Sequence, residues 1–91
     1  MVVDSFSPSL YRTAKYLLSI SNAGSGAYSS LEALVTHNGS TANIITYNYS
    51  NTGSALVSSL TANIYSGNVS VWANGLASGN SFKVFPTYIG V

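Results

Sequence analysis

The stretch that most constrains the fold of this chain is residues 31–49, LEALVTHNGSTANIITYNY. Two runs rich in β-branched, aliphatic and aromatic residues flank the pair Asn38-Gly39. Asn and Gly both tolerate positive φ, so this pair is preferred in the two-residue type I′ turn between antiparallel strands. The sequence therefore predicts a central hairpin with Asn38 and Gly39 as its structural turn, in which Val35 faces Ala42.

This register separates the apolar from the polar side chains of the hairpin. One face carries Leu31, Ala33, Val35, Ala42 and Ile44, and the other carries Glu32, Thr36, Thr41 and Asn43. A slip of one residue would exchange the two faces, so the apolar set also favours the register.

Residues 11–21 precede this hairpin and also alternate between apolar and polar positions. Ala14, Tyr16, Leu18 and Ile20 fall on one face. A helix is the alternative, because several apolar residues here also fit a period of 3.6, but no helix stop follows. We predict a strand that pairs with the hairpin and places Tyr16 opposite Ala33, with Lys15 diagonal to Glu32.

The remaining chain repeats short alternating runs between turn signals. Strands are predicted at 2–6, 56–65, 69–74 and 82–89, with turns at 51–54 and at Gly67-Asn68 and a loop from Asn74-Gly75 to Gly79-Asn80. Pro86 indicates that the last strand lies at a sheet edge. About seven short strands with regular turn signals predict an all-β fold. We expect one domain over 1–91, a small antiparallel β-sandwich of jelly-roll or Ig-like type.

Charge is scarce in this chain. Of 91 residues only five are Asp, Glu, Lys or Arg, and the formal net charge is +1. Ordinary domains are roughly 25% charged. Such a weak field gives no basis for binding nucleic acid or an acidic membrane surface, so neither is predicted as a partner. The chain also has no cysteine, which leaves oligomerisation as a common route to extra stability in a small domain.

The sequence offers little for catalysis. A nucleophilic triad would need His37 together with Asp4 or Glu32 and a serine, yet no Gly-x-Ser-x-Gly elbow is present. One histidine and two acids are also few for a metal site. We therefore predict no enzyme activity, no catalytic residue, no metal site and no cofactor, with His37 a polar residue beside the turn.

Several aromatic residues fall on the outward, polar phase of the predicted strands. They are Trp72, Tyr65, Tyr47 and Tyr49, the last two sharing the outer face of one strand. Tyr and Trp are enriched where proteins bury surface against partners, which makes an interface the first interpretation. Packing beneath a loop and a platform for stacking a sugar are the alternatives.

Four blocks of the sequence carry a resemblance. They are VVDSF (2–6), YRTAKYLLS (11–19), EALVTHNGSTA (32–42) and FKVFPTYI (82–89). Together they resemble a β-domain of virion proteins from tailed bacteriophages, especially phages of cyanobacteria, where it occurs in neck, fibre and capsid-associated proteins. The chain differs in having Asn38 where the family often has Asp, and Pro86 where a charged or polar residue is usual.

The resemblance implies a non-enzymatic building block of a virus particle. Because the chain begins at Met1 and ends shortly after its last predicted strand, we expect a small free-standing capsid decoration (cement) protein. Its expected partners are copies of itself, as a dimer or trimer, and the major capsid protein, contacted through sheet edges and outward aromatics. Its expected place is the capsid surface, after synthesis in the host cytoplasm.

A fibre module is the second hypothesis. In this alternative the chain is part of a tail or neck fibre and binds a host receptor or glycan through Trp72 and the tyrosines. Further β-modules in the same chain would favour it, whereas a neighbouring gene for a major capsid protein would favour the decoration protein.

Overall fold

The computed structural model describes residues 1–75 and 79–91, and every regular element in them is a β-strand. The strands are β1 (Val2–Phe6), β2 (Tyr11–Asn22), β3 (Ala27–His37), β4 (Ala42–Asn51), β5 (Val57–Tyr65), β6 (Asn68–Gly75) and β7 (Asn80–Gly90). All paired strands are antiparallel. The chain is thus an all-β protein with two sheets, a small β-sandwich as predicted, and its second strand replaces the helical alternative for residues 11–21.

Two sheets make up the sandwich. One has three strands in the order β1-β6-β5, and the other has four in the order β4-β3-β2-β7. Strand β4 packs beside β5, and β7 passes close to β1, so each sheet edge lies near an edge of the other sheet. Strand β7 is an edge strand, which confirms the prediction from Pro86, whose nitrogen has no hydrogen to give to a further strand.

The core lies between the sheets, where the strict alternation of inward and outward side chains places the apolar residues. On β2 the side chains of Tyr16, Leu18 and Ile20 are fully buried while their neighbours face outward. The pairing of β2 with β3 is the predicted one, with Tyr16 opposite Ala33. In the described part of the chain, the other buried apolar residues are Phe6, Ala14, Leu31, Ala33, Val35, Leu56, Val57, Leu60, Val69, Val71 and Ala73.

The central turn differs from the prediction. Val35 lies opposite Ile44 instead of Ala42, so the loop between β3 and β4 has four residues, 38–41, and the type I′ prediction is wrong. The side chain of Asn38 accepts hydrogen bonds from the backbone N–H groups of Ser40 and Thr41. This Asx-type turn competes with the left-handed conformation that a type I′ turn needs at Asn. Within residues 38–41 only Gly39 has positive φ, at 95°.

The shift of the central turn leaves its two faces intact. The observed register differs from the predicted one by two residues, and side chains alternate with a period of two. Leu31, Ala33 and Val35 are accordingly buried as expected, and Ala42 and Ile44 pack against the core.

A two-residue turn with positive φ at both positions does occur, between β5 and β6. Tyr65 pairs with Asn68 across Ser66 and Gly67, whose φ angles are 52° and 79°. These are the signs that define a type I′ turn. The prediction of Gly67-Asn68 was therefore one residue late. The predicted loop after Asn74 falls partly on residues 76–78, which lie outside the described residues.

Candidate interaction surface

Large apolar side chains cover the outer face of the four-stranded sheet. Phe85 is 70% exposed, Ile45 54% and Leu17 50%. We call this surface the apolar face and define it by Leu17, Leu34, Ile45, Tyr47 and Phe85. A patch of large exposed apolar residues on one side of a small domain is a common mark of an interaction site.

Two adjacent cross-strand rows form the apolar face, one beside the other across all four strands. The first row is Tyr47, Glu32, Leu17 and Phe85, and the second is Ile45, Leu34, Lys15 and Thr87. Neighbours in such rows lie within side-chain contact of each other. The apolar residues therefore form one continuous patch around the opposite charges of Lys15 and Glu32, and Lys83 borders the patch beside Phe85.

That charged pair occupies the two central strands of the sheet. Lys15 Nζ lies 3.9 Å from Glu32 Oε1, as the diagonal register predicted. Asn48 Nδ2 donates a hydrogen bond of 2.7 Å to the other carboxylate oxygen. The Lys15 side chain is 57% exposed and that of Glu32 25%, so water screens the pair and it contributes only about 0–1 kcal/mol to stability.

The sequence predicted that Tyr47 lies on the outer side of the sheet but did not indicate the apolar face as a surface. The predicted interface consisted only of aromatic residues on the polar phase of the strands. The signal that would have found the surface is aliphatic: Leu17, Leu34 and Ile45 all occupy positions that strand alternation assigns to solvent. One such residue is ordinary, but three on neighbouring strands form a patch.

Trp72 and Tyr65 lie on the opposite side of the molecule, on the outer face of the three-stranded sheet. Their ring centroids are 5.7 Å apart at an interplanar angle of 84°, an edge-to-face pair. Trp72 Nε1 donates a hydrogen bond of 2.8 Å to Asn63 Oδ1. We call this surface, defined by Trp72, Tyr65 and Asn63, the Trp72 face.

The other two predicted aromatic residues separate, although the sequence placed them on the same face. Tyr47 pairs with Glu32 on the apolar face, whereas Tyr49 follows a register shift in β4. Asn48 between them has φ of 55° and forms a bulge that reverses the phase of the strand. The Tyr49 hydroxyl then reaches β5, where it donates to the Val57 carbonyl and accepts from the Val57 N–H. The prediction that Tyr47 and Tyr49 share the outer face is wrong.

His37 ties the central turn to the start of β2. Its ring is buried, with Nε2 2.7 Å from the Tyr11 carbonyl oxygen and Nδ1 accepting the Gly39 N–H at 2.9 Å. A carbonyl oxygen only accepts and an N–H only donates, so these partners select the neutral tautomer with the proton on Nε2. Both ring nitrogens are therefore used by the backbone, and the side chain is more than the turn-flanking residue that the sequence indicated.

Asp4 lies elsewhere, in a cluster of tyrosines between β1, β2 and β7. The Tyr88 hydroxyl donates a hydrogen bond to Asp4 Oδ2, and the Tyr88 ring stacks on that of Tyr11. Burial, and then the Asp4 carboxylate, raise the pKa of Tyr88 to about 12 and that of the fully buried Tyr16 further still. Tyr88 is thus held protonated, as a donor that joins β7 of one sheet to β1 of the other.

The structure brings no catalytic constellation together from the predicted polar residues. His37 is bonded to backbone, Asp4 to Tyr88, and Glu32 to Lys15 and Asn48. Within residues 1–75 and 79–91, no three His, Cys, Asp or Glu side chains gather as a metal site would require. The same residues contain no helix of the length and hydropathy that crosses a membrane.

Comparisons with known proteins identified no relative of this chain. Protein-family models, curated proteins and solved structures gave no match to the chain.

Proposed function

We propose that this chain is a non-enzymatic structural protein of a phage virion, a capsid decoration (cement) protein that self-associates and stabilises the head. The observation that carries the proposal is the pair of outward surfaces on opposite sides of one sandwich. The apolar face exposes a continuous aliphatic and aromatic patch, and the Trp72 face exposes Tyr65 at 58%. A cement protein needs two such surfaces, because it has to hold the capsid and another copy of itself.

The scarcity of charge supports the same proposal. Five charged residues in 91 leave much of the surface to Ser, Thr, Asn, Tyr and aliphatic side chains. Charged residues are depleted and aromatic residues enriched at the centre of protein interfaces. Covering the apolar face would contribute favourable free energy at ~25 cal/mol per Å² of apolar area. A surface of this composition is suited to lie against protein.

We assign the two surfaces to different partners. The apolar face is the self-association surface, because four of its large apolar side chains are exposed and three of them are aliphatic. The Trp72 face is directed at the major capsid protein, where a half-buried Trp beside an exposed Tyr is the kind of anchor that dominates binding energy. Tyr47 belongs to the first contact, and Trp72 and Tyr65 belong to the second, on the capsid surface of a particle assembled in the host cytoplasm.

The second candidate is a tail- or neck-fibre module that binds a host receptor or glycan. Its supporting observation is the exposed Tyr65 ring next to Trp72. The edge-to-face geometry of this pair weakens the glycan version, because two perpendicular rings do not form one flat platform. Tyr65 is nevertheless 58% exposed, so the experiment below also tests the fibre hypothesis.

Stripping the protein from intact particles tests the proposal. Stripped particles, or particles from a gene deletion, are exposed to heat or osmotic shock, and then the parent protein or Trp72→Ser is added back. We expect fragile stripped capsids that the parent rescues and Trp72→Ser rescues poorly. Leu10→Ser is the control, since Leu10 is 60% exposed in the turn between β1 and β2, away from both sheet faces, and it should rescue like the parent.

Two outcomes of this experiment count against the cement protein. Stripped particles that withstand shock as well as complete ones would contradict it. Stripped particles that withstand shock but no longer adsorb to host cells would establish the fibre module in its place.

A further inference from the structure

We infer that two copies of this chain pack their apolar faces together about a two-fold axis, with Lys15 of each copy beside the partner's Glu32. The inference rests on the self-association in the proposed function and specifies its surface, symmetry and charge contacts. Four observations carry it: the charge pattern of the face, its area, the state of the sheet edges, and the contrast with the Trp72 face.

The charge pattern of the apolar face is complementary to itself. Lys15 lies on β2 and Glu32 on β3, the two central strands, at diagonal positions. A two-fold axis that runs along the strands between β2 and β3 places β2 over the partner's β3. Lys15 then lies over the partner's Leu34, which is two residues, or ~7 Å along a strand, from the partner's Glu32. A lysine side chain spans that distance, and the symmetry makes the contact twice.

The whole broad side of the molecule, which has the apolar face at its centre, sets the upper limit of the area that a second copy can cover. The molecule measures 40 × 23 × 16 Å, so its broad side presents about 900 Å² in projection, against ~800 Å² per partner in an interface of standard size. When two twisted sheets pack face to face, their strand directions stay within about 30° of each other. An aligned pair therefore uses the long dimension of the face.

The edges of the four-stranded sheet do not favour the other route to a dimer, strand addition. Strand β4 carries the bulge at Asn48, and β7 carries Pro86. Bulges and prolines on edge strands are features that prevent pairing with another chain. With both edges of the four-stranded sheet obstructed, a second copy that binds this sheet contacts its broad face, in place of the edge contacts that the sequence suggested.

The Trp72 face lacks the features that make the apolar face self-complementary. Its indole N–H is already bonded to Asn63, and Asn74 Nδ2 is bonded to Ser59 Oγ. No pair of opposite charges lies among the outward residues of β5 and β6. A second copy would find no reciprocal contact there that fixes its position.

Charge reversal followed by mixing tests the inference. Sedimentation equilibrium is measured on the parent, on Lys15→Glu, on Glu32→Lys and on an equimolar mixture of the two variants, with far-UV circular dichroism to verify the fold of each. We expect the parent to be a dimer. Each variant places four like charges at the centre of the pair, so each should dimerise at least ~10-fold more weakly. The mixture should recover dimers that contain one copy of each.

Mixing restores attraction only between charges that meet across the interface. The like-charged pair within each variant copy is the same before and after mixing. A monomeric parent, variants that dimerise like the parent, or folded variants whose mixture stays monomeric would each overturn the inference. The stripped-particle experiment does not depend on this arrangement. Fragile stripped capsids together with unaffected charge variants would reject the interface and retain the cement protein.

Discussion

The two outer faces of this sandwich differ in residue type and in how far their polar groups are already bonded. On the Trp72 face the indole is bonded to Asn63, and Ser58 Oγ donates to the Asn74 carbonyl. On the apolar face Phe85 is 70% exposed, and the polar contacts are the Lys15–Glu32 pair and the Asn48 hydrogen bond to Glu32. An outward aromatic residue is therefore not by itself a free binding surface, because contacts with its cross-strand neighbours determine how much of its side chain stays available to a partner.

The hairpins that carry the two faces differ in the same way. The β5–β6 hairpin closes with two residues whose backbone alone makes the turn. The β3–β4 hairpin needs four residues, the Asn38 side chain and the buried ring of His37. The apolar face therefore depends on side chains at its turn, whereas the Trp72 face does not.

The largest effect on dimerisation should come from placing a charge on the apolar face, and the same change on the Trp72 face provides the comparison. Phe85→Lys should weaken dimerisation about 100-fold or more, because two buried phenyl rings are lost per pair at ~1.5–3 kcal/mol each. Tyr65→Lys is the matched variant on the Trp72 face and should leave the dimer unchanged. Sedimentation equilibrium measures both, and equal effects of the two variants would remove the distinction between the faces.

Removal of His37 tests the dependence of the β3–β4 turn on side chains. His37→Ala should lower the free energy of unfolding by about 2–3 kcal/mol, since it leaves the Tyr11 carbonyl and Gly39 N–H unpaired and opens space beside Phe6. Urea denaturation provides the measurement. The control is Thr36→Ala, an exposed neighbour that should change stability by less than ~0.5 kcal/mol. Equal midpoints for His37→Ala and the parent would show that the ring is dispensable.

Substitution of the turn glycines compares the two turns directly. Gly39 and Gly67 have φ of 95° and 79°, and an added Cβ would meet nothing within 4 Å at either. Valine at each position should therefore cost only backbone strain, about 1–3 kcal/mol in urea denaturation. Gly53→Ala is the control, because Gly53 has no positive φ and its Cβ would make an ordinary contact at 3.6 Å. If either valine variant matched the stability of the parent, the positive φ at that turn would be wrong.

The smallest effect is expected from the ion pair within one copy. Glu32→Gln should change the free energy of unfolding of the monomer by about 0–1 kcal/mol, because the pair is partly exposed. Chemical denaturation at dilutions that dissociate the dimer measures this term alone. A loss above ~2 kcal/mol would mean that the charges serve the fold rather than the contact between copies.

Much of the fold follows from the sequence because alternation with a period of two is a strong signal. It placed Tyr16 opposite Ala33 and Lys15 near Glu32. The assignment of side chains to the inner and outer faces stayed correct despite the two-residue error in register at the central turn. The errors lie where one residue has two accessible conformations. Asn38 uses its side chain to form an Asx turn in place of positive φ, and Asn48 takes positive φ within a strand.

The candidate surface was harder to predict than the fold for the same reason. One bulge at Asn48 removed Tyr49 from the outer face, and no residue near it signals a bulge in advance. Assembly of the apolar face requires the strand order β4-β3-β2-β7, which brings Phe85 from the end of the chain beside Leu17. Local patterns do not contain that order.

Hydroxyl-radical labelling of the unmodified protein over a dilution series tests most directly whether the apolar face is covered by another copy while the Trp72 face stays open. Phe85 and Tyr65 are both largely exposed in one chain, at 70% and 58%. We predict that Phe85 is oxidised slowly at high protein concentration and faster as the dimer dissociates, while the oxidation rate of Tyr65 stays constant. Rates for both residues that do not change with concentration would contradict the account.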